Sequence, residues 1–201
     1  GFDRHFFESL VECMGQFKCV TVDLGFTGDP VMPVFDQDAK VLAVGHSMGF
    51  MWLLKHKPVQ WQGLIGINAF PRFTEAKGYR PAQQVRVLEL MQEQYIRKPD
   101  QVVADFMSRC GNDEVLKTFD NDRMVESLTW LADGDERGAL ARELTPVFVL
   151  AGKSDSIVSP AMTEAGFDGV APIQWHDGGH LLPMEDPVWC AERLVAAWNS
   201  L

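Results

Sequence analysis

Positive charge is what this chain has least of. Its 18 Lys and Arg residues stand against 28 Asp and Glu, a formal net charge of −10 at pH 7. Such a surface lacks the basic footprint that phosphate contacts require, which excludes a nucleic-acid partner. Long apolar runs are missing too: stretches such as 41–44 and 146–151 are strand-sized, far short of the roughly 20 residues of a membrane-spanning helix. The 4 cysteines, Cys13, Cys19, Cys110 and Cys190, are scattered without a CxxC pair. That spacing supports neither a zinc site nor a disulfide scaffold, and the expectation is reduced thiols in a cytoplasmic protein. Gly1-Phe2-Asp3-Arg4-His5 carries neither the charged n-region nor the apolar h-region of a signal peptide, and no initiator methionine, so native residues are expected before Gly1. Internal repeats and low-complexity tracts are absent from the sequence.

What remains is a chain of 201 residues with 46% apolar content, enough to bury a core as one globular domain with room for an inserted subdomain. Apolar residues at Phe6, Phe7, Leu10, Val11 and Met14 predict an amphipathic helix over 2–14. Strands are predicted at 18–24, 41–44, 63–68, 146–151 and 170–175. Helices are predicted at 48–56, 81–98, 100–110 and 121–144, near Ser159-Pro160, and at 186–198. All-apolar strands alternating with helices imply an α/β architecture, mostly a parallel sheet covered on both faces, with functional groups on loops at the strands' carboxyl ends. The expected division is a core of 1–70 and 145–201 carrying a helical lid, 71–144. From 72 to 142 there are 11 Lys and Arg against 13 Asp and Glu, leaving 7 against 15 elsewhere. That nearly neutral middle segment tolerates an acidic partner.

Gly45-His46-Ser47-Met48-Gly49 follows one of these strands and precedes a helix. A G-x-S-x-G sequence in that setting places the serine on a sharp, strained turn, with small residues two before and two after it to avoid clashes. The helix start also aims free N–H groups and a positive dipole end at any developing oxyanion, with the Met48 N–H as first donor. An ordinary tight turn would use the same letters. A serine nucleophile needs a base, and only His176 and His180 follow the helical segment. His180, on a glycine-rich loop before the last helix, fits a general base on a flexible loop better than His176, which falls at a strand end. The imidazole in turn needs a carboxylate on another strand end to fix its tautomer. Asp155, in the loop after 146–151, meets that need, although a solvated or helix-capping aspartate would look the same. The order Ser47, Asp155, His180 is the one expected of α/β-hydrolases. Aromatic residues of the lid would pack its helices and line an apolar cleft, with Phe70 and Phe73 as substrate-binding candidates.

These three separated motifs make the chain resemble the α/β-hydrolase superfamily along nearly its whole length. Within it, the Asp23-Leu24 loop, the strand exit Asn68-Ala69-Phe70-Pro71-Arg72-Phe73, the four-helix lid and the Gly152–Pro160 loop look like the pimeloyl-acyl-carrier-protein methyl esterases of biotin synthesis, the BioH type. The resemblance implies hydrolysis of a small acyl methyl ester carried by acyl carrier protein. Lid arginines Arg80, Arg86, Arg97, Arg109 and Arg123 would then meet that acidic carrier. Two-step acyl transfer of this kind implies no cofactor, and the expectation is a monomer without a metal or a membrane partner. Phe50 departs from the small residue many relatives carry there, and the usual His-Gly oxyanion motif is not visible, so Gly1-Phe2 is its expected remnant and Phe2 the second oxyanion donor. A short-chain esterase, a thioesterase or a carbon–carbon hydrolase would use the same three residues, and an inactive binding module of this fold is the alternative of another class.

Overall fold

The computed structural model describes residues 3–112 and 118–201. Three short, mainly apolar segments and one mixed segment form its strands: β1 (Leu42–His46), β2 (Gly63–Ile67), β3 (Val147–Gly152) and the mixed β4 (Ile173–His176). They lie in the order β1-β2-β3-β4 with every neighbouring pair parallel. Gly45 pairs with Gly66 and Ile67 with Leu150, which brings the carboxyl ends of the first three strands together at one rim. β2 is buried at every residue, as a strand covered by helices on both faces must be.

A 3-10 turn (Arg4–Phe7) leads into α1 (Glu8–Cys13), and α2 (Met48–His56) follows β1. Among the described residues, four helices lie between β2 and β3: α3 (Val85–Arg97), α4 (Pro99–Arg109), α5 (Asn121–Asp133) and α6 (Arg137–Ala141). Then come α7 (Pro160–Phe167), α8 (Leu182–Glu185) and α9 (Pro187–Ser200). Because strand side chains alternate in direction, neighbouring residues feed opposite layers. Ile65, Ile67 and Leu150 pack with Leu10 of α1 and Leu194 of α9, whereas Leu64 and Val149 pack with Phe50 of α2, Leu140 of α6 and Phe167 of α7. A third apolar cluster joins α3, α4 and α5 to Met51, Phe70 and Ile157 above the strand ends. Among the described residues, no helix is long and apolar enough to cross a membrane.

Three expectations change. Residues 18–24 do not join the sheet: only Asp23 bridges, antiparallel, to Val31. The apolar pattern there is strand-like, but a ladder also needs a neighbour, and among the described residues β1 pairs with β2 alone. The helix expected over 121–144 divides into α5 and α6, because Gly134 turns extended (ψ 133°) and a Cβ there would lie 2.5 Å from the Trp130 carbonyl oxygen. The last strand starts only at Ile173, since the Phe167 carbonyl accepts the Val170 and Ala171 N–H groups and closes a turn.

Phe50 has a packing reason. It is fully buried, edge-on to Phe167 with ring centroids 5.4 Å apart. The space exists because residue 66 of β2 is glycine: a Cβ there would approach Phe50 Cδ2 to 3.1 Å. Phe50→Ala is therefore expected to lower unfolding free energy by about 3–5 kcal/mol in a denaturant titration. A loss under about 1 kcal/mol would show that this layer does not depend on the ring.

Candidate active site

β1 ends at His46, and the next residue turns sharply into α2. Ser47 has φ 52° and ψ −125°, a backbone conformation that a residue with a Cβ rarely adopts. The turn is held from outside, since the Ser47 N–H donates to the Ile67 carbonyl of β2 at 3.0 Å. The two flanking glycines are not equivalent. A Cβ on Gly45 would lie 2.5 Å from Phe50 Cα, so no side chain fits; a Cβ on Gly49 would meet nothing within 4 Å. The expectation that both are small to avoid clashes holds for Gly45 only. Met48 opens α2, so its N–H belongs to the first turn, whose amides have no intrahelical acceptor.

Asp155 and His180 come from the loops after β3 and β4 and are 5% and 2% exposed. Asp155 Oδ1 accepts the Ile157 and Val158 N–H groups at 2.7 and 2.8 Å, and its Oδ2 lies 2.8 Å from His180 Nδ1. A carboxylate so placed accepts, hence His180 Nδ1 carries the hydrogen and Nε2 keeps a lone pair for a proton. His176 is elsewhere: its Nδ1 accepts the Gly178 N–H at 2.8 Å and its Nε2 is 3.3 Å from Asp186. The geometry thus separates the two histidines: His180, the one the sequence favoured, pairs with Asp155, and His176 does not.

The loop bearing His180 is pinned rather than flexible. Glu185 accepts the Gly179 N–H at 2.7 Å and the Leu181 N–H at 3.3 Å. Asn68 Nδ2 donates to the Gly179 and His180 carbonyls at 2.9 and 2.7 Å, and Asn68 Oδ1 accepts the Gly152 N–H at 2.8 Å. His46 Nε2 is 2.8 Å from the His180 carbonyl. Burial, and then the neighbouring His180, hold the His46 pKa down at about 3, so the ring is neutral; since a carbonyl only accepts, its hydrogen is on Nε2. The sequence reading missed all three of these side chains. Asn68, a polar residue directly after an all-apolar strand, was the one available signal.

Ser47, Met48 and His180 line one cavity of about 700 Å³, whose walls are mainly apolar side chains. Its lining includes Phe70, Phe73, Leu88, Tyr95, Met124 and Leu128 and, from the N-terminal third, residues 18–22. The Phe70 and Phe73 rings are 4.8 Å apart. Phe2, the second oxyanion candidate, lies outside the described residues. The arginines differ. Arg80 pairs with Glu75 and Arg86 with Glu89 and Glu93. Arg123 donates to the Leu24 carbonyl at 3.1 Å and so ties α5 to the Asp23-Leu24 loop. Arg97 and Arg109 are exposed, and Arg109 borders the cavity. Burial pushes the Cys110 and Cys190 thiols up to about 12, which leaves them protonated and unsuited to act as nucleophiles.

Among solved structures, the chain is similar to an esterase from Exiguobacterium antarcticum (TM-score 0.82, 17% identity, 96% of this chain and 87% of that one). It is similar also to a bromoperoxidase from Bacillus anthracis (0.82, 14%, 98% and 88%) and to a thermophilic esterase from Thermogutta terrifontis (0.75, 19%, 100% and 87%). The chain has the α/β-hydrolase fold. No family model and no curated protein matches its sequence. In this α/β-hydrolase fold, Ser47 takes the strand-to-helix turn after β1, and Asp155 and His180 the loops after β3 and β4.

The unequal glycines give a direct check. Gly45→Ala should forfeit several kcal/mol of stability or fail to fold, because the clash is with backbone. Gly49→Ala, in a helix's first turn, should unfold at the same denaturant concentration as wild type or slightly higher, by up to about 1 kcal/mol. Equal damage at the two positions would contradict the geometry.

Proposed function

We propose that the protein is a serine hydrolase acting on carboxylic esters with an apolar acyl chain. The observation that carries this reading is the buried 2.8 Å hydrogen bond between Asp155 and His180, opening on the same cavity as a serine held at a strained strand-to-helix turn. Ser47 Oγ attacks the ester carbonyl while His180 Nε2 takes its proton, and Asp155 stabilises the resulting imidazolium. The Met48 N–H, at the positive end of α2, stabilises the oxyanion. His180 then protonates the leaving alkoxide, activates water against the acyl-enzyme, and the acid departs. No cofactor enters these steps. The mainly apolar lining, Phe70 and Phe73 included, favours an alkyl chain over a polar acyl group.

The finer reading is the methyl ester of a pimeloyl chain on acyl carrier protein, in biotin synthesis. Its support is the sequence resemblance, together with exposed cations around α3 and α4. Arg97 and Arg109 are the preferred contacts, because Arg80, Arg86 and Arg123 are engaged with their own neighbours, and Arg97 is the one of the two that does not line the cavity.

Two measurements test these readings. Purified protein should hydrolyse nitrophenyl esters, with kcat/KM rising from acetyl to butyryl or longer chains. Ser47→Ala should lower kcat by about 10⁴-fold or more. Full activity in Ser47→Ala would remove the serine from the chemistry. For the carrier, Arg97→Glu should raise KM for carrier-bound ester about 3- to 10-fold and leave a free nitrophenyl ester within about twofold. Equal effects on both substrates would argue against a carrier contact at α3.

A further inference from the structure

We propose that His46 and Asn68 are positioning residues: together they fix the His180 main chain and thereby aim its imidazole at Ser47. The inference rests on the hydrolase reading above and extends it to two residues that touch neither the ester nor the migrating proton.

The His180 carbonyl oxygen receives two N–H donors from two different strand ends. One is Asn68 Nδ2, just past β2, at 2.7 Å; the other is His46 Nε2, the last residue of β1, at 2.8 Å. Both lone pairs of that oxygen are therefore engaged. His46 directly precedes Ser47, so the candidate base is tied to the same turn that presents the candidate nucleophile. Asn68 spends its other amide hydrogen on the Gly179 carbonyl and its oxygen on the Gly152 N–H, at the start of the loop that carries Asp155. Its own N–H donates to the Leu150 carbonyl of β3 at 2.9 Å. One connected set of hydrogen bonds thus touches all three turns of the site.

The geometry requires such a device. The bond from Nδ1 to Asp155 fixes one point of the imidazole, and a ring held at one point can swing about it. A second fixed point, the main chain of the same residue, determines where Nε2 stands. Displacement of about 1 Å at a reacting atom can cost on the order of 10²-fold in rate. Asn68 is fully buried and holds φ 47°, a left-handed conformation that asparagine tolerates better than most residues. His46 is half-buried, its ring 4.5 Å from that of Phe6 and 4.8 Å from that of His180. Its hydrogen bond is therefore separable from its packing.

The test compares His46→Phe, which keeps a ring between Phe6 and His180 but has no donor, with His46→Gln, which restores an N–H at similar reach. Both are assayed against a nitrophenyl butyrate alongside thermal unfolding. The expected result for His46→Phe is a kcat about 10- to 100-fold below wild type with KM within about twofold. His46→Gln should recover most of that loss. Asn68→Asp keeps the acceptor for Gly152 and replaces both donated hydrogens with oxygen, and should lower kcat at least as far; with His46→Gln it carries the comparison if His46→Phe does not fold. Wild-type kcat in His46→Phe, a loss in KM alone, or a kcat loss that glutamine does not restore would overturn the proposal while the hydrolase reading stands. Wild-type protein without esterase activity would overturn both.

Discussion

The buried hydrogen bond between Asp155 and His180 is the constraint around which the rest of the site is arranged. A carboxylate at 5% exposure has lost most of its water, and that loss is costly unless the protein supplies donors. Here it supplies three: two backbone N–H groups at the start of the turn leading to α7, and the His180 ring. A buried polar pair of this kind is poor evidence for stability, because an apolar pair could fill the same space. It is better evidence for chemistry, since it fixes one imidazole tautomer and leaves Nε2 with a lone pair on a residue that lines the cavity.

The sheet makes that pairing possible. Parallel strands in sequential order bring the carboxyl ends of β1, β2, β3 and β4 to one rim, and each contributes a turn to the site. Ser47 comes from the first, Asn68 from the second, Asp155 from the third and His180 from the last. Local strain at Ser47 and Asn68 is tolerated because each is held from outside, by the Ile67 carbonyl and the Leu150 carbonyl respectively. The helices between β2 and β3 then pack apolar side chains over the rim, and the space beside Ser47 has mainly apolar walls.

The parts of this arrangement that were legible in sequence are those with a local signature. Short apolar runs between turn residues located β1, β2 and β3 to within two residues, and the glycine–serine turn located the elbow. Asp155 and His180 were reachable because a nucleophile needs a base and a base needs an acid, in a fixed order. Residues 18–24 carry a strand's composition, yet pairing depends on a neighbour that composition does not name. His46 and Glu185 were illegible for a related reason: what they hold is backbone, which leaves no side-chain pattern to read, whereas Asn68 stood out only as a polar residue directly after an all-apolar strand. Gly49 shows the opposite error: a motif position whose small size the surrounding space does not demand.

The central claim is that Ser47, Asp155 and His180 act as one reacting unit. Its most direct measurement is the site of covalent capture by a fluorophosphonate, read by mass spectrometry of the digested protein. One adduct is expected, on the peptide containing Ser47, with strongly slowed labelling when His180 is replaced by alanine. An adduct on any other residue, or labelling of Ser47 at an unchanged rate without the His180 imidazole, would contradict it.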